Sequence, residues 1–250
     1  MAHDYRYPKY VSVGEKEDLA CAALERLRRS RPDISPVAIE GRALARTWWG
    51  KAWNRNLESY ADYANRIQRG RSYVRHQAVL DLRVRPGSVE ALVQGSGAKP
   101  YKIAITVKPL EPDAWQRIIS ASGGAIDSLS ELLEGKFPKA LAELFTGHDA
   151  GLFPSPKDIA LHCDCPDWAA MCKHVSAALY GVGARLDDNP ALFFVLRGVN
   201  VEDLISRAVS EKSSKLLEKS GTKSRRVIEE PDLETLFGID LDDESHRPDA

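Results

Sequence analysis

Four side chains that bind soft metal ions lie within twelve residues of the chain. They are Cys163, Cys165, Cys172 and His174, in the pattern Cys-x-Cys, six residues, Cys-x-His. Thiolate and imidazole are ligands that Zn²⁺ prefers. Structural zinc sites take all four positions of the tetrahedron from the protein, whereas catalytic sites leave one position for water. The pattern therefore predicts a closed zinc site that serves the architecture of the protein.

Two other interpretations of this cluster are weaker. Small buried cysteines beside a hydrogen-bonded core histidine are the first, but such accidents usually involve one pair of residues and not four. A disulfide is the second, and it would leave an odd cysteine and need an oxidising compartment. The first ten residues, MAHDYRYPKY, contain no apolar signal segment, so the expected location is the reducing cytoplasm.

The local sequence predicts a strand, a turn and a helix that bring the ligands together. Residues 159–165 alternate as in a strand, where residues two apart share a face. Cys163 and Cys165 are therefore expected to point the same way. His162 and Asp164 are expected to point away from the metal, which makes either of them a poor replacement for a ligand.

The helix of this module is expected to begin at the metal. Residues 175–180 have helical character up to Gly181. Because helical residues two apart diverge by about 200°, Cys172 must lie at the helix entrance and His174 in its first turn if both bind one ion. The positive end of the helix dipole then offsets the net negative charge of three thiolates around Zn²⁺. Asp167 is the expected acceptor for the second imidazole nitrogen of His174.

The spacing of the ligands resembles the SWIM-type zinc finger, in which Cys-x-Cys and a short spacer precede Cys-x-His. The finger pattern is matched by HCDCPDWAAMCKHVSAALY. Stand-alone bacterial SWIM-finger proteins also look similar to the upstream segments EGRALARTWWGKAW, SYADYANRIQRGRSYVR and VQGSGAKPYKI, so the resemblance covers most of residues 1–210. It implies zinc binding at the four residues, a role in DNA or protein interaction, and association with Swi/Snf-type helicase-like ATPases. It implies no established catalytic activity.

The rest of the chain predicts an α+β fold. Residues 15–30 have the apolar spacing of a helix, and a second helix is expected to begin near Thr47. Trp48, Trp49 and Trp53 approximate helical spacing in this second helix. Aromatic residues dominate core burial, so we interpret them as core anchors. A base-stacking platform is the alternative.

Between residues 71 and 110 the apolar period changes to two, which predicts an antiparallel sheet of three strands or more. The alternation gives an apolar face with Leu80, Leu82 and Val84, and a cationic face with Asp81, Arg83 and Arg85.

We divide the chain into four regions. They are an N-terminal helical arm (1–40), an α+β domain with the cationic sheet (41–146), the zinc finger with the helices that follow it (147–210), and a flexible linker with an acidic tail (211–250). The linker is rich in Lys, Ser and Glu. In the tail, apolar residues alternate with Asp and Glu, which suits either a segment that folds on a partner or a disordered end.

The net charge of −1 conceals two opposed regions. Residues 42–108 contain 13 lysines and arginines against 4 acidic residues, whereas residues 227–250 contain 9 acidic residues and one arginine. The candidate nucleic-acid contacts are Arg66, Arg69, Arg71 and Arg75. Arginine grips phosphate with two hydrogen bonds, and Gly70 between them is expected to let the backbone approach a phosphate. A solvated charged face is the alternative interpretation.

Two common catalytic motifs are missing from the sequence, the zinc-protease motif His-Glu-x-x-His and the phosphate loop Gly-x-x-x-x-Gly-Lys-Ser/Thr. We therefore expect a non-enzymatic, zinc-binding accessory protein. Its expected partner is nucleic acid, in the form of DNA, or a Swi/Snf-type helicase-like ATPase, or both. A pure protein-protein adaptor is the alternative, and a zinc-dependent enzyme is the weakest interpretation. No small-molecule substrate is expected. Nor is a membrane partner, because no apolar run approaches the roughly 18 residues of a membrane span.

Overall fold

The computed structural model describes residues 11–122, 141–147 and 151–220. The helices in chain order are α1 (Val13–Ser30), α2 (Trp48–Glu58), α3 (Ala64–Arg75), α4 (Pro112–Ser122), α5 (Ala142–Thr146), α6 (Lys173–Asp188), α7 (Leu192–Arg197) and α8 (Val201–Ser220). The strands are β1 (Val79–Arg85), β2 (Ser88–Val93), β3 (Tyr101–Val107) and β4 (Ile159–Cys163). A short 3₁₀ helix, Pro156–Asp158, leads into β4.

The four strands form one antiparallel sheet in the order β1-β2-β3-β4. This confirms the predicted α+β class and the predicted antiparallel sheet, with β4 as its additional strand. In the pairing of β3 with β4, Val107 lies opposite Ile159 and Ile103 lies opposite Cys163. The strand of the strand-turn-helix module is therefore part of the main sheet. Cys163, at the end of β4, is held in place by the pairing of β4 with β3.

Helix α6 is the centre of the core. It contacts α2, α3, α7 and all four strands, and 11 of its 16 residues are buried. A helix that is apolar on nearly all sides is one that packs inside a protein. Anything that fixes the start of α6 therefore acts on the main hydrophobic core.

The tryptophans of α2 anchor that helix to α6. Trp49 and Trp53 are buried, and their indole N–H groups donate to the carbonyls of Leu186 at 2.8 Å and Leu179 at 2.9 Å. The helix begins where the sequence predicts, with Thr47 as N-cap accepting from the Gly50 amide at 3.1 Å. Trp49 and Trp53 are thus core anchors, as predicted, and their burial excludes them as a base-stacking platform.

The second face of the sheet is partly covered by α1. Leu80 packs there with Ala20 and Ala23, whereas Leu82 belongs to the main core on the other face. The prediction that Leu80 and Leu82 share a face is therefore wrong. The two side chains lie on opposite faces because β1 contains a β-bulge. The β1-β2 register shifts between Val79 and Asp81, and the extra residue interrupts the alternation of side chains.

The charges on this second face are largely paired. Asp81 is buried and binds Arg31 at 2.8 Å and Arg83 at 3.3 Å. Arg83 also binds Asp33 at 2.6 Å, and Arg85 lies 3.7 Å from Glu90. The face that the sequence predicts to be cationic is mostly neutralised by its own carboxylates.

Helix α8 continues through Ser220, so residues 211–220, predicted as flexible linker, are helical. Lys, Glu and Leu are good helix formers, and Glu211 precedes Lys215 by four residues, the favourable order for an ion pair along a helix. Among the described residues, no helix combines the length and the apolar content needed to cross a membrane.

The chain divides into two compact units, Met1–Ala208 and Val209–Ala250. The predicted region boundaries after residues 40 and 146 both lie within the first unit. The predicted acidic tail, residues 227–250, lies outside the described residues.

Candidate metal centre

The four predicted ligands come together at the junction of β4 and α6. Cys163 is the last residue of β4, and Cys165 follows in the bend after it. Cys172 is the N-cap of α6, and His174 lies in the first turn of that helix. The predicted places of Cys172 and His174 are confirmed. The strand ends at Cys163, two residues earlier than predicted.

The geometry of the cluster fits one metal ion. The ligand atoms of the four residues all lie within 4.8 Å of one another. The Nδ1 atom of His174 is 3.9 Å from Cys163 Sγ and 4.0 Å from Cys172 Sγ. A tetrahedral zinc site with ordinary bond lengths places sulfur and nitrogen about 3.6 Å apart. These two sulfur–nitrogen distances therefore need to shorten by only a few tenths of an ångström for the side chains to close around an ion.

The two cysteines nearest the imidazole differ in acidity. The pKa of the Cys172 thiol lies below its ordinary value because it interacts with the Cys163 thiol and also accepts from the Val175 amide, 3.5 Å away. The same interaction with Cys172, together with burial, raises the pKa of Cys163. Negative charge thus develops first on Cys172, at the positive end of α6.

Burial keeps the imidazole in its neutral form. The pKa of His174 is lowered because the ring is removed from water, and a neutral imidazole is the form that binds a metal. Its ring stacks on Tyr101, with centroids 4.3 Å apart and planes at 30°. Tyr73 contacts it edge-on, with centroids 5.4 Å apart. The ring orientation is therefore set by packing before any ion binds.

Gly95 leaves the space for this ring stack. A β-carbon at Gly95 would lie 2.5 Å from Tyr101 Cε2 and 3.1 Å from His174 Nε2. Sequence reasoning missed Tyr73, Gly95 and Tyr101 as residues of the site. The sequence shows that Gly95 lies in the loop between two predicted strands, but it does not show that this loop packs on a helix that begins almost eighty residues later.

The prediction that Asp167 accepts from His174 is wrong. Asp167 binds Arg66, with Nε 3.0 Å from Oδ2, and accepts from the Ala169 amide at 3.3 Å. His174 Nδ1 faces the sulfurs, so Nε2 turns toward Gly95; it is buried and has no hydrogen-bond partner among the described residues. Asp167 therefore holds the loop between Cys165 and Cys172 in place and does not orient the imidazole.

The four candidate arginines do not form one patch. All lie on α3, where Arg66 and Arg71 are separated by about 140° around the helix axis. Arg66 and Arg69 flank one side of the buried face of α3, and Arg71 and Arg75 flank the other side.

Two of these arginines form internal ion pairs. Arg66 binds Asp167, and Arg71 binds Glu58 at 2.6 Å and donates to the Tyr180 hydroxyl at 2.8 Å. Arg69 and Arg75 are exposed. Of the four, these two are the ones whose charge the protein leaves available at the surface.

Gly70 faces the core and not the solvent. A β-carbon there would lie 2.2 Å from Ser176 Oγ and 3.0 Å from the Ala177 amide nitrogen. Its missing side chain lets α3 approach α6. The expectation that Gly70 brings the backbone close to a phosphate is therefore replaced by a helix-packing role.

Comparison with known proteins identifies one curated relative. No family model matches the chain, and no solved structure matches it. The uncharacterized protein Rv2102 of Mycobacterium tuberculosis (strain ATCC 25618 / H37Rv) is 35% identical over 189 residues, which cover 74% of this chain and 68% of the relative. This degree of identity over most of both chains establishes common descent. The chain therefore belongs to the same family as Rv2102 of Mycobacterium tuberculosis.

Proposed function

We propose that Cys163, Cys165, Cys172 and His174 hold a structural Zn²⁺, and that the protein is a non-enzymatic accessory factor similar to SWIM-type zinc finger proteins. In this proposal the protein binds either nucleic acid or a Swi/Snf-type helicase-like ATPase, or both. The expected nucleic acid is DNA.

The convergence of four protein ligands carries this proposal. Their donor atoms lie within 4.8 Å of one another, so one ion can reach all of them. Three thiolates and an imidazole in a tetrahedral arrangement are typical of structural zinc, and harder cations such as Mg²⁺ prefer oxygen. With all four positions filled by side chains, no position is left for water or substrate. The same closure supports a non-enzymatic role.

The place of the cluster supports an architectural role as well. When bound, the ion would supply a cross-link between the end of β4 and the start of α6. Cys172 also caps α6 through its sulfur, which accepts from the Val175 amide. The ligands Cys165 and Cys172 close the loop of residues 166–171 at both ends, so this loop is presented as a fixed surface feature.

Nucleic-acid binding is supported by the charge of residues 42–108. Residues 42–108 contain 13 basic and 4 acidic residues, and Arg69 and Arg75 are exposed within this region. Backbone contacts by such residues release counterions from the nucleic acid, so affinity falls with salt and shows little sequence preference.

A salt titration tests this part of the proposal. Affinity for a labelled duplex and for a labelled single strand is expected to fall steeply between about 50 and 200 mM salt, measured by fluorescence anisotropy. The double variant Arg69→Gln, Arg75→Gln should reduce the slope of log affinity against log salt by about 1.5 to 2, because two phosphate contacts are lost. The matched control is Arg28→Gln, Arg29→Gln, which removes the same charge from exposed positions on α1. An affinity that stays flat over this salt range contradicts the proposal.

The adaptor alternative is favoured by the sequence of residues 227–250, in which acidic and apolar residues alternate. Co-purification of the native protein, with and without nuclease treatment, separates the two ideas. A partner protein that remains after nuclease treatment supports direct protein contact, whereas a partner that is lost indicates that nucleic acid bridges the two.

A further inference from the structure

The loop between the metal ligands exposes an aromatic pair. Trp168 is 78% exposed and Tyr63 is 41% exposed. Their ring centroids are 5.4 Å apart, with an interplanar angle of 79°. Tryptophan is the largest apolar side chain and is usually well buried. A tryptophan that packs on a second aromatic ring and still faces solvent indicates a binding surface.

Neighbouring residues hold this pair in a fixed position. Trp168 lies in the loop of residues 166–171, directly after Asp167, which is anchored by Arg66 at 3.0 Å. The guanidinium of Arg66 also lies 5.9 Å from the centre of the Tyr63 ring. Tyr63 itself is the N-cap of α3. Trp168 is thus held by the loop of residues 166–171 and Tyr63 by the start of α3, so little conformational entropy is lost when a ligand binds.

We propose that Trp168 and Tyr63 form a stacking platform for the unpaired bases of single-stranded DNA. This inference rests on the nucleic-acid part of the proposed function and names the surface and the form of nucleic acid. Base faces stack on aromatic side chains, and cationic groups beside the rings contact the phosphates. In a duplex the base faces are covered by their neighbours, so the platform selects single strands.

The charges around the rings suit a phosphate backbone. Arg69 is exposed, lies one turn after Arg66 on the same side of α3, and makes no ion pair within the described part of the chain. Lys173 is partly exposed at the start of α6. The nearby carboxylates are already engaged, since Asp167 binds Arg66 and Asp62 accepts from the Met171 amide at 3.3 Å. Arg69 and Lys173 are therefore the cations available to contact a phosphate next to a stacked base, and Arg69 is the more exposed of the two.

The size of the patch argues against a folded protein as its occupant. A stable protein-protein interface buries about 800 Å² on each partner. Two aromatic rings surrounded by charged side chains supply only a fraction of that area, whereas one or two bases need no more.

A substitution series at Trp168 tests the platform. Binding of a fluorescein-labelled single-stranded DNA is measured for Trp168→Ala, Trp168→Leu and Trp168→Phe, with zinc content as the check of folding. The Ala and Leu variants are expected to weaken binding about tenfold, because each loses base stacking. The Phe variant should stay within about threefold of the original protein. Tyr63→Leu should weaken binding in the same direction as Trp168→Leu.

Tryptophan fluorescence gives an independent readout. Addition of unlabelled single-stranded DNA is expected to quench the emission of the original protein, and Trp168→Phe should abolish that quenching while it retains affinity. If Trp168→Leu binds single-stranded DNA as tightly as the original protein does, the platform is overturned. If the Arg69→Gln, Arg75→Gln double variant still weakens DNA binding in that case, the nucleic-acid proposal itself stands. If neither duplex nor single strand binds the original protein, the nucleic-acid proposal fails and this inference fails with it. Tighter binding of an RNA strand of the same sequence overturns the assignment to DNA.

Discussion

Replacing Cys172 with serine is expected to lower the free energy of unfolding by on the order of 5 kcal/mol and to abolish metal binding. Serine is a good N-cap, so the substitution keeps the capping of α6 and removes only the soft ligand. The loss of stability should extend beyond the loop of residues 166–171, because α6 contacts all four strands. Structural zinc contributes on the order of 10 kcal/mol to small zinc modules, and the apolar packing of α6 accounts for the smaller value expected here.

Thermal unfolding followed by circular dichroism measures this effect. For a unit of this size the loss corresponds to a fall in Tm of about 10 to 20 °C, and a strong chelator added to the original protein should produce a similar fall. Cys21→Ala is the matched control, since Cys21 is exposed and far from the cluster in sequence. Its Tm and metal content should be unchanged. A melt that neither chelator nor Cys172→Ser alters would contradict a structural role for the metal.

The second large effect is expected at Gly70. Gly70→Ala places a β-carbon 2.2 Å from Ser176 Oγ and 2.5 Å from Ser176 Cβ. Because α6 is packed on many sides, it cannot simply move away, and we expect a loss of about 2 to 3 kcal/mol of stability in urea unfolding.

Gly14→Ala is the matched control for Gly70→Ala. A β-carbon at Gly14 meets nothing within 4 Å, so alanine should leave stability unchanged or raise it by up to about 1 kcal/mol through its helix propensity. Adding Ser176→Gly to Gly70→Ala removes the two closest contacts and should recover part of the loss, as a coupling between neighbouring residues. A Gly70→Ala protein as stable as the original would show that α3 and α6 do not depend on this close approach.

Local sequence rules predicted the metal cluster well. The helical divergence of residues two apart placed Cys172 at the N-cap of α6 and His174 in its first turn. Strand alternation predicted β4 up to Cys163, although it extended the strand two residues too far. These rules involve residues within one or two elements of each other. The spacing of apolar residues, which changes from the helical period of about 3.6 to the strand period of 2, predicted the α+β class. This periodicity is also a local signal.

Features that depend on distant contacts were not predictable. No element was assigned from the sequence to residues 64–75, which form α3 and bury Ile67, Gly70, Tyr73 and Val74 against the core. The bulge that turns Leu80 toward α1 cannot be read from an unbroken alternation. The contact of Gly95 and Tyr101 with His174 joins a hairpin loop to a helix far along the chain, and only the tertiary fold brings them together.

Metal analysis of freshly purified, tag-free protein tests the central claim most directly. Elemental analysis is expected to find one zinc per chain, and X-ray absorption spectroscopy should show three sulfur ligands and one nitrogen ligand at ordinary zinc distances. Cys21→Ala should give the same spectrum, because the exposed Cys21 is not among the four clustered ligands. Protein without bound zinc, or a coordination sphere with an exchangeable water, would contradict a closed structural site.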